Sequence, residues 1–492
     1  MKRILLALVA LVAGLGGVMT LRAARLEPPA LPSGAALPPM PSIDSAGALE
    51  RLAGAIRHPT ISYASGAPID TAAFRGFHEH LVTSFPQAHA TLTRESIGTL
   101  SLLYTWKGAD PAAAPIVLMG HMDVVPVPES NLPQWTHTPF SGDIADGYVW
   151  GRGTLDDKST VLSIMEAVET LIRSGYVPPR TIYLTFGHDE EVGGRYGARA
   201  IVDTLVARGV KPALVIDEGG FMASGLLPGL TQRLAIVGIA EKGYISLKLT
   251  SRADGGHSSM PPGRTSVGAL ARAIAALEAA PFPMALDGPT RGMLEAMGPY
   301  LPFSQKLAMA NLWLMGPLVQ RTLASNPLGG ALMRTTTSPT MLTAGIKDNV
   351  LPPEATGVVN FRIRPGETAE TVMARVRTVI NDTMITVAPL DSAIANPSPV
   401  SSTTGPAWTL LRRTITTMVP GEQPPVIPYL VMGGTDAKYW GPHSDAVYRF
   451  LPIPLGDGDR ERVHGLNERV SARDYASAVT FFIRLLQGAG TL

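Results

Sequence analysis

The chain has 492 residues, 45% of them hydrophobic and 16% charged, a composition that fits a globular protein too long for one simple core and excludes a disordered one. Lysine plus arginine number 41 against 40 acids, a formal net charge of +1, a balance that gives no electrostatic case for nucleic acid, which needs a concentrated basic face. Cysteine is absent, which excludes disulfides, thiolate metal ligands and a cysteine nucleophile, and leaves histidine and carboxylates to hold any metal.

Lys2 and Arg3 precede an apolar run from Ile4 to Leu21, followed by Arg22 and Arg25. A positive start and an apolar core predict a secretory signal or membrane anchor over residues 1–25. No convincing small-x-small cleavage site stands before Arg22, which favours the anchor. The body is then expected outside the cytoplasm, periplasmic or membrane-held, although Arg22 and Arg25 weaken that bias. Residues 26–43 read as a linker: six prolines fall between Glu27 and Ser42, and such a stretch is extended.

Helical patterns at Ala48–Ile56 and Phe74–Phe85 lead to a buried-strand run at Pro115–Gly120. A helix at Thr160–Arg173, a strand at Thr181–Gly187, a helix at Ala198–Arg208 and a strand at Ala213–Ile216 follow. Strands separated by helices predict an α/β fold with a central sheet flanked by helices, whose strand ends carry the site. Near residue 239 the composition shifts. Alternating strands at Tyr244–Thr250 and Gly357–Ile363, helices at Val267–Ala279 and Ala369–Ile380, and a strand at Thr383–Val387 predict a small α+β unit. The expected organisation is therefore a first domain over 44–238, an inserted domain over 239–390, and a return to the first domain over 391–492, ending in a helix at Ala476–Leu486. Residues 281–337, rich in proline and methionine, are expected to elaborate the insert, and a methionine- and leucine-rich lining of an acyl groove is weighed there against plain packing.

Four clusters follow strand-like runs. His121 and Asp123 sit two residues apart, so both point the same way and the acid can orient the imidazole. Gly151 to Lys158 is a glycine-bearing turn with Asp156 and Asp157 at its end; a carboxylate there can bridge two cations. His188 to Gly194 holds Glu190 and Glu191, of which one can bind metal while the other holds a proton. Asp217 and Glu218 close a fourth strand run. His257 lies in a Gly-Gly-His-Ser-Ser loop and His464 in His-Gly-Leu-Asn-Glu. Taken singly, each cluster has an ordinary meaning: a hydrogen-bonded His-Asp turn, a helix N-cap, an acidic loop, a solvated histidine. Their joint occurrence at strand ends is the signal.

The motifs HMDVVP, GRGTLDDK, HDEEVGG, DEGG, GGHSS, NVLPPEA, NFRIRPG, GGTDAKYW and HGLNE run in order from His121 to Glu468, within a resemblance that extends from about residue 48 to the C-terminus. In that order and spacing the chain resembles the M20 metallopeptidase family, and within it the carboxypeptidase S and N-acyl-amino-acid hydrolase branch. The resemblance implies a zinc-peptidase-type catalytic domain with an inserted α+β lid or dimerisation domain. It implies two Zn2+ ions, with Co2+ or Mn2+ as substitutes: His121 on one, His464 on the other, Asp156 bridging through a cis peptide to Asp157, Glu191 a ligand, and Asp217 or Glu218 the last. Glu190 would be the general base and Asp123 would orient His121. His257 would stabilise the oxyanion, in many relatives across a dimer interface, which allows a homodimer here. Asn349, Arg362, Gly434 and Thr435 would contact substrate. The expected activity is hydrolysis of the amide bond of a small peptide or an N-acyl amino acid. An inactive substrate-binding homologue and a two-metal phosphoesterase are the competing readings; no site acid or histidine is missing and no phosphate-cradling loop is present.

Overall fold

Runs of consecutive apolar residues, too uniformly hydrophobic for an exposed sheet face, predict strands covered on both sides. The computed structural model describes residues 2–32, 36–64, 67–225, 232–456 and 458–492. Among them, a ten-stranded mixed sheet is joined by a four-stranded antiparallel sheet and two small ribbons. In the large sheet, strands Ile182–Gly187, Ile116–His121, Leu214–Asp217 and Val447–Arg449 lie side by side and parallel. Antiparallel strands flank this centre, Ser101–Trp106 on one side and Leu234–Glu241 on the other.

The helix Lys158–Arg173 is buried on nearly every side. It lies between the sheet and the helices Ser45–Ile56 and Ala472–Gln487, and Val161, Leu162, Met165 and Val168 share one core with Phe481, Phe482 and Leu485. Its buried charged residues are paired in that interior: Glu166 accepts from Arg51, Glu169 from the Ala88 N–H, and Lys158 donates to the Ala55 carbonyl.

The four-stranded sheet is built from Thr336–Ala344, Glu354–Ile363, Gly243–Arg252 and Ile385–Pro389, in that spatial order. Helices Ser266–Ala279 and Ala369–Ile380 pack on it. Ile245, Leu247, Leu249, Phe361 and Val372 form a core separate from that of the large sheet. The boundary expected at residue 239 falls inside the strand Leu234–Glu241, which pairs in the large sheet. The stretch 281–337 also departs from expectation: its helices Gly288–Met297, Leu312–Ala324 and Pro327–Met333 share a core with Ile236, Ile427 and Leu430 of the large sheet.

At the N-terminus, Lys2–Ala24 is one helix whose apolar window is wholly unburied. The proline-rich stretch after it is extended but not loose. Arg412 donates to the Ala30 carbonyl, Arg484 to that of Pro38 and Gln487 to that of Pro39; residues 33–35 lie outside the described part. Met1 does as well.

Phe361 is fully buried in the second core, edge-on to Phe282 at 6.1 Å between ring centres. Phe361→Ala should cost about 3–5 kcal/mol, read as a lower denaturant midpoint by circular dichroism. An unchanged midpoint would show that this core does not limit stability.

Candidate metal centre

The central parallel strands decide where the chemistry sits. His121 lies opposite Gly187 and Leu118 opposite Ile216, so the segments after all three strands leave the sheet at the same edge, where α/β sheets place ligands. Residues 188–191 and 217–218 thereby emerge beside His121. The turn 151–157 follows the strand Tyr148–Trp150, which pairs with Arg469–Ser471; that ribbon brings residues 464–468 from the far end of the chain.

Asp156 is the meeting point. Its Oδ1 lies 2.8 Å from His121 Nε2, and its Oδ2 lies 3.0 Å from His464 Nε2. Glu218 Oε1 is 3.5 Å from His121 Nε2, and Glu191 Oε1 is 3.2 Å from His464 Nε2. Two triads result, His121–Asp156–Glu218 and Asp156–Glu191–His464, each with its ligand atoms within 4.8 Å of one another. Imidazole and carboxylate without thiolate is a donor set suited to a catalytic divalent metal pair. The peptide between Asp156 and Asp157 is cis.

Asp123 is fully buried, with Oδ1 3.4 Å from His121 Nδ1. Its two carboxylate oxygens also accept the backbone N–H groups of Glu190 and Glu191 at 3.1 and 3.2 Å, and its backbone carbonyl lies 3.0 Å from His121 Nδ1, so one residue fixes both the imidazole and the acidic turn. Asp217 and Glu218 point apart, as neighbours on a strand must. Glu218 joins the His121 triad, whereas Asp217 accepts from the Ala437 N–H at 2.7 Å, so the structure does not bring Asp217 to the centre. Glu190 is in neither triad.

Thr435 donates to Glu241 Oε1 at 2.7 Å, an oxygen also bonded by Arg449 Nε, and Gly434 lies against the same carboxylate. Arg362 stacks over Tyr244 at 4.9 Å and forms no ion pair among the described residues. The Asn349 side-chain oxygen is buried without a partner. His257 is exposed on the two-residue strand Gly256–His257, bonded to Ser259 at 2.7 Å, and no described contact joins it to either triad.

Sequence reasoning missed what holds the triads in register. Glu468 is fully buried and Arg152 nearly so, paired at 2.5 Å. Glu468 Oε1 accepts the N–H groups of Gly153, Leu155 and Asp156, while Arg152 donates to the carbonyls of His464 and Gly465. Lys158, also buried, donates to the carbonyls of Ala55 and His58. Asp436 packs against two glycines: its Oδ2 lies 2.8 Å from where a Cβ on Gly187 would stand, and its Oδ1 occupies the place of one on Gly194. A charged residue inside a glycine-rich turn was the available signal for Arg152; nothing local pairs it with Glu468.

The electrostatics of this cluster are those of too many acids in one place. Hydrogen bonds to Asp156 and Glu191 raise the pKa of His464 to about 10. Burial opposes the His121 cation, but hydrogen bonds to Asp123, Asp156 and Glu218 outweigh it and hold its pKa well above the ordinary value. Burial, reinforced by the Asp156 charge, raises Glu218 to about 8, and burial raises Glu190 strongly. Burial also opposes the Asp156 carboxylate, yet its two histidine partners hold its pKa below the usual range. Protons thus supply the positive charge that divalent cations would otherwise bring.

A sequence model of Peptidase family M20/M25/M40 matches residues 117–488. N-fatty-acyl-amino acid synthase/hydrolase PM20D1 of Xenopus tropicalis is 41% identical over 447 residues, covering 90% of this chain and 86% of that protein. Probable carboxypeptidase S-like 2 of Dictyostelium discoideum is 40% identical, covering 89% and 84%. Among solved structures, an M20 family metallo-carboxypeptidase from Sulfolobus solfataricus superposes with a TM-score of 0.66 at 17% identity, covering 90% of this chain and 99% of that one. Human carnosine dipeptidase 1 gives 0.64 at 14% identity, covering 91% and 97%.

Glu468→Gln leaves Arg152 buried beside a neutral partner, at a cost of about 3–5 kcal/mol. Urea unfolding should show that loss, and Arg152→Met combined with Glu468→Gln should lose less than the two single changes added. A second expectation concerns protons. With His464 near 10 and Glu218 near 8, both are protonated at neutral pH, so metal must displace protons to bind. Zinc titrations by calorimetry in buffers of different ionisation enthalpy should report proton release, with affinity climbing as pH rises from 6 toward 8. Buffer-independent heats would contradict this charge assignment.

Proposed function

The chain belongs to peptidase family M20/M25/M40, and on that footing we propose that it is a di-zinc amidohydrolase that cleaves the amide bond of N-acyl amino acids or small peptides with a free C-terminus. It is an enzyme of the M20 type, a metal-dependent family whose relatives include proteins named as N-fatty-acyl-amino acid hydrolases and carboxypeptidases. The observation that carries the finer reading is Asp156, one carboxylate shared by two triads. His121 and Glu218 would hold one ion, His464 and Glu191 the other. Zinc bound there would act as a Lewis acid on the scissile carbonyl and make water a stronger acid.

The chain's own residues supply the rest. Glu190, outside both triads and raised by burial, would accept the proton of the attacking water and pass it to the departing amine nitrogen. Asp123 keeps His121 and the backbone of Glu190 in fixed relation. Arg362, with no ion pair among the described residues, offers a guanidinium to the substrate carboxylate, and Asn349 a side-chain amide without a partner. The wall at Gly434 and Thr435 is fixed by the buried Glu241. We assign the four-stranded sheet and its helices as the lid or dimerisation domain, from which His257 would reach the oxyanion on closure or from a second copy. The N-terminal helix would export the chain or hold it at a membrane, with its body outside the cytoplasm.

The test pairs parent and Glu190→Gln on a Gly-Leu dipeptide and on long-chain N-acyl amino acids, with zinc content measured in both. Parent should hydrolyse at least one class, and the variant should keep its zinc while losing roughly 10²–10⁴-fold in turnover. Full activity in zinc-replete Glu190→Gln would remove Glu190 as the base.

A further inference from the structure

The apolar N-terminal helix is not joined to the body by a loose tether. Arg22 donates from Nε to the Ala310 carbonyl at 3.1 Å, and Asn311 donates from Nδ2 to the Met19 carbonyl at 3.1 Å. Ala23 is fully buried, and Leu26 packs against Gly298. Beyond this clamp, Arg412, Arg484 and Gln487 fasten the following stretch to the body. Before it, Ile4, Leu5, Leu8, Leu11 and Val12 are all more than half exposed. Of its 23 residues, those from Lys2 to Val18 precede the clamp, about 25 Å of length at 1.5 Å per residue, enough to reach through most of a hydrocarbon core of about 30 Å.

The helix that packs on it, Phe303–Ala310, and the next one, Leu312–Ala324, joined to the first through Asn311, also expose apolar side chains. Phe303 is 56% exposed, Trp313 54% and Leu318 56%, far from what water-facing helices normally show. Trp313 donates from Nε1 to Asn311 Oδ1 at 3.4 Å, and Asn311 is the residue that holds Met19. The indole therefore sits beside the clamp, with its polar edge satisfied, in the manner of interfacial tryptophans. Charge points the same way. The two helices carry no aspartate or glutamate, and their charged residues, Lys306 and Arg321, are both basic.

We propose that the outer face of these two helices, centred on Phe303, Trp313, Leu314 and Leu318, is a docking surface for a lipid bilayer with anionic headgroups, continuous with the N-terminal helix. A helix that enters the bilayer while clamped at Met19 and Arg22 carries these two helices to the membrane face. The apolar side chains then enter the headgroup boundary, and the absence of carboxylates removes repulsion from anionic lipid. This surface is independent of the amidohydrolase assignment.

The cysteine-free chain allows single labels without background. Full-length Phe303→Cys, Leu318→Cys, Leu11→Cys and Val177→Cys variants, each carrying an environment-sensitive fluorophore, are reconstituted in vesicles of phosphatidylcholine and phosphatidylglycerol. Nitroxide lipids with the quencher at shallow or deep positions are then added. Labels at 303 and 318 should lose emission to the shallow nitroxide and the label at 11 to the deep one, while Val177, 64% exposed and outside the proposed surface, should respond to neither. Quenching at 11 without quenching at 303 and 318 would overturn the proposal, because the helix would enter lipid without its clamp. Labels at 303 and 318 shielded from aqueous iodide yet unaffected by lipid nitroxide would overturn it in favour of a second copy on this face. Recovery of only a soluble chain cleaved beyond Ala24 would overturn it too.

Discussion

Asp156 stands between two histidines from opposite halves of the chain, with one oxygen toward each. For that carboxylate to serve both, the turn 151–157 and the segment 464–468 must be held in register to within a fraction of an ångström. Glu468 and Arg152 do this from inside, the acid gathering three backbone N–H groups of the turn and the guanidinium two carbonyls of the C-terminal segment. A buried ion pair is a weak source of net stability. Here its value lies in direction: both charges bind backbone groups that belong to the site, so the pair turns a desolvation cost into geometric precision.

The same economy governs the acidic turn. Asp123 is distant from Glu190 and Glu191 in sequence but binds both of their backbone N–H groups, and it reaches the imidazole of His121 as well. The parallel register that sets His121 opposite Gly187 makes these contacts short. Sheet topology thus does the coarse placement, and buried carboxylates do the fine placement.

Much of this was legible in the amino-acid order because strand-end residues announce themselves. His121, Asp156, Glu191 and His464 sit in motifs whose spacing is recognisable, and the central strands are short apolar runs bounded by glycine and acids. What was not legible has a common cause. The strand Leu234–Glu241 is buried throughout, so it lacks the alternation that marks a half-exposed strand, and a boundary drawn by composition cut through it. The helices between 281 and 337 bury only narrow stripes of scattered methionine and leucine, and their partner strand, Val426–Val431, lies far along the chain. Asp217 and Glu218 could not be separated from composition; strand alternation separates them at once in three dimensions. The Arg152–Glu468 pairing has no local signature, since nothing near either residue in sequence points to the other.

Asp436 closes the account in a different way. Its carboxyl fills the two places where side chains on Gly187 and Gly194 would stand, one just before the acidic turn and one just after it. The turn that carries Glu190 and Glu191 is therefore bracketed by two deliberate vacancies into which a single foreign side chain fits like a key. Filling either gap with even one methyl group would push that key outward and tilt the turn, so the tolerance of the reacting groups is set by positions that own no reactive atom.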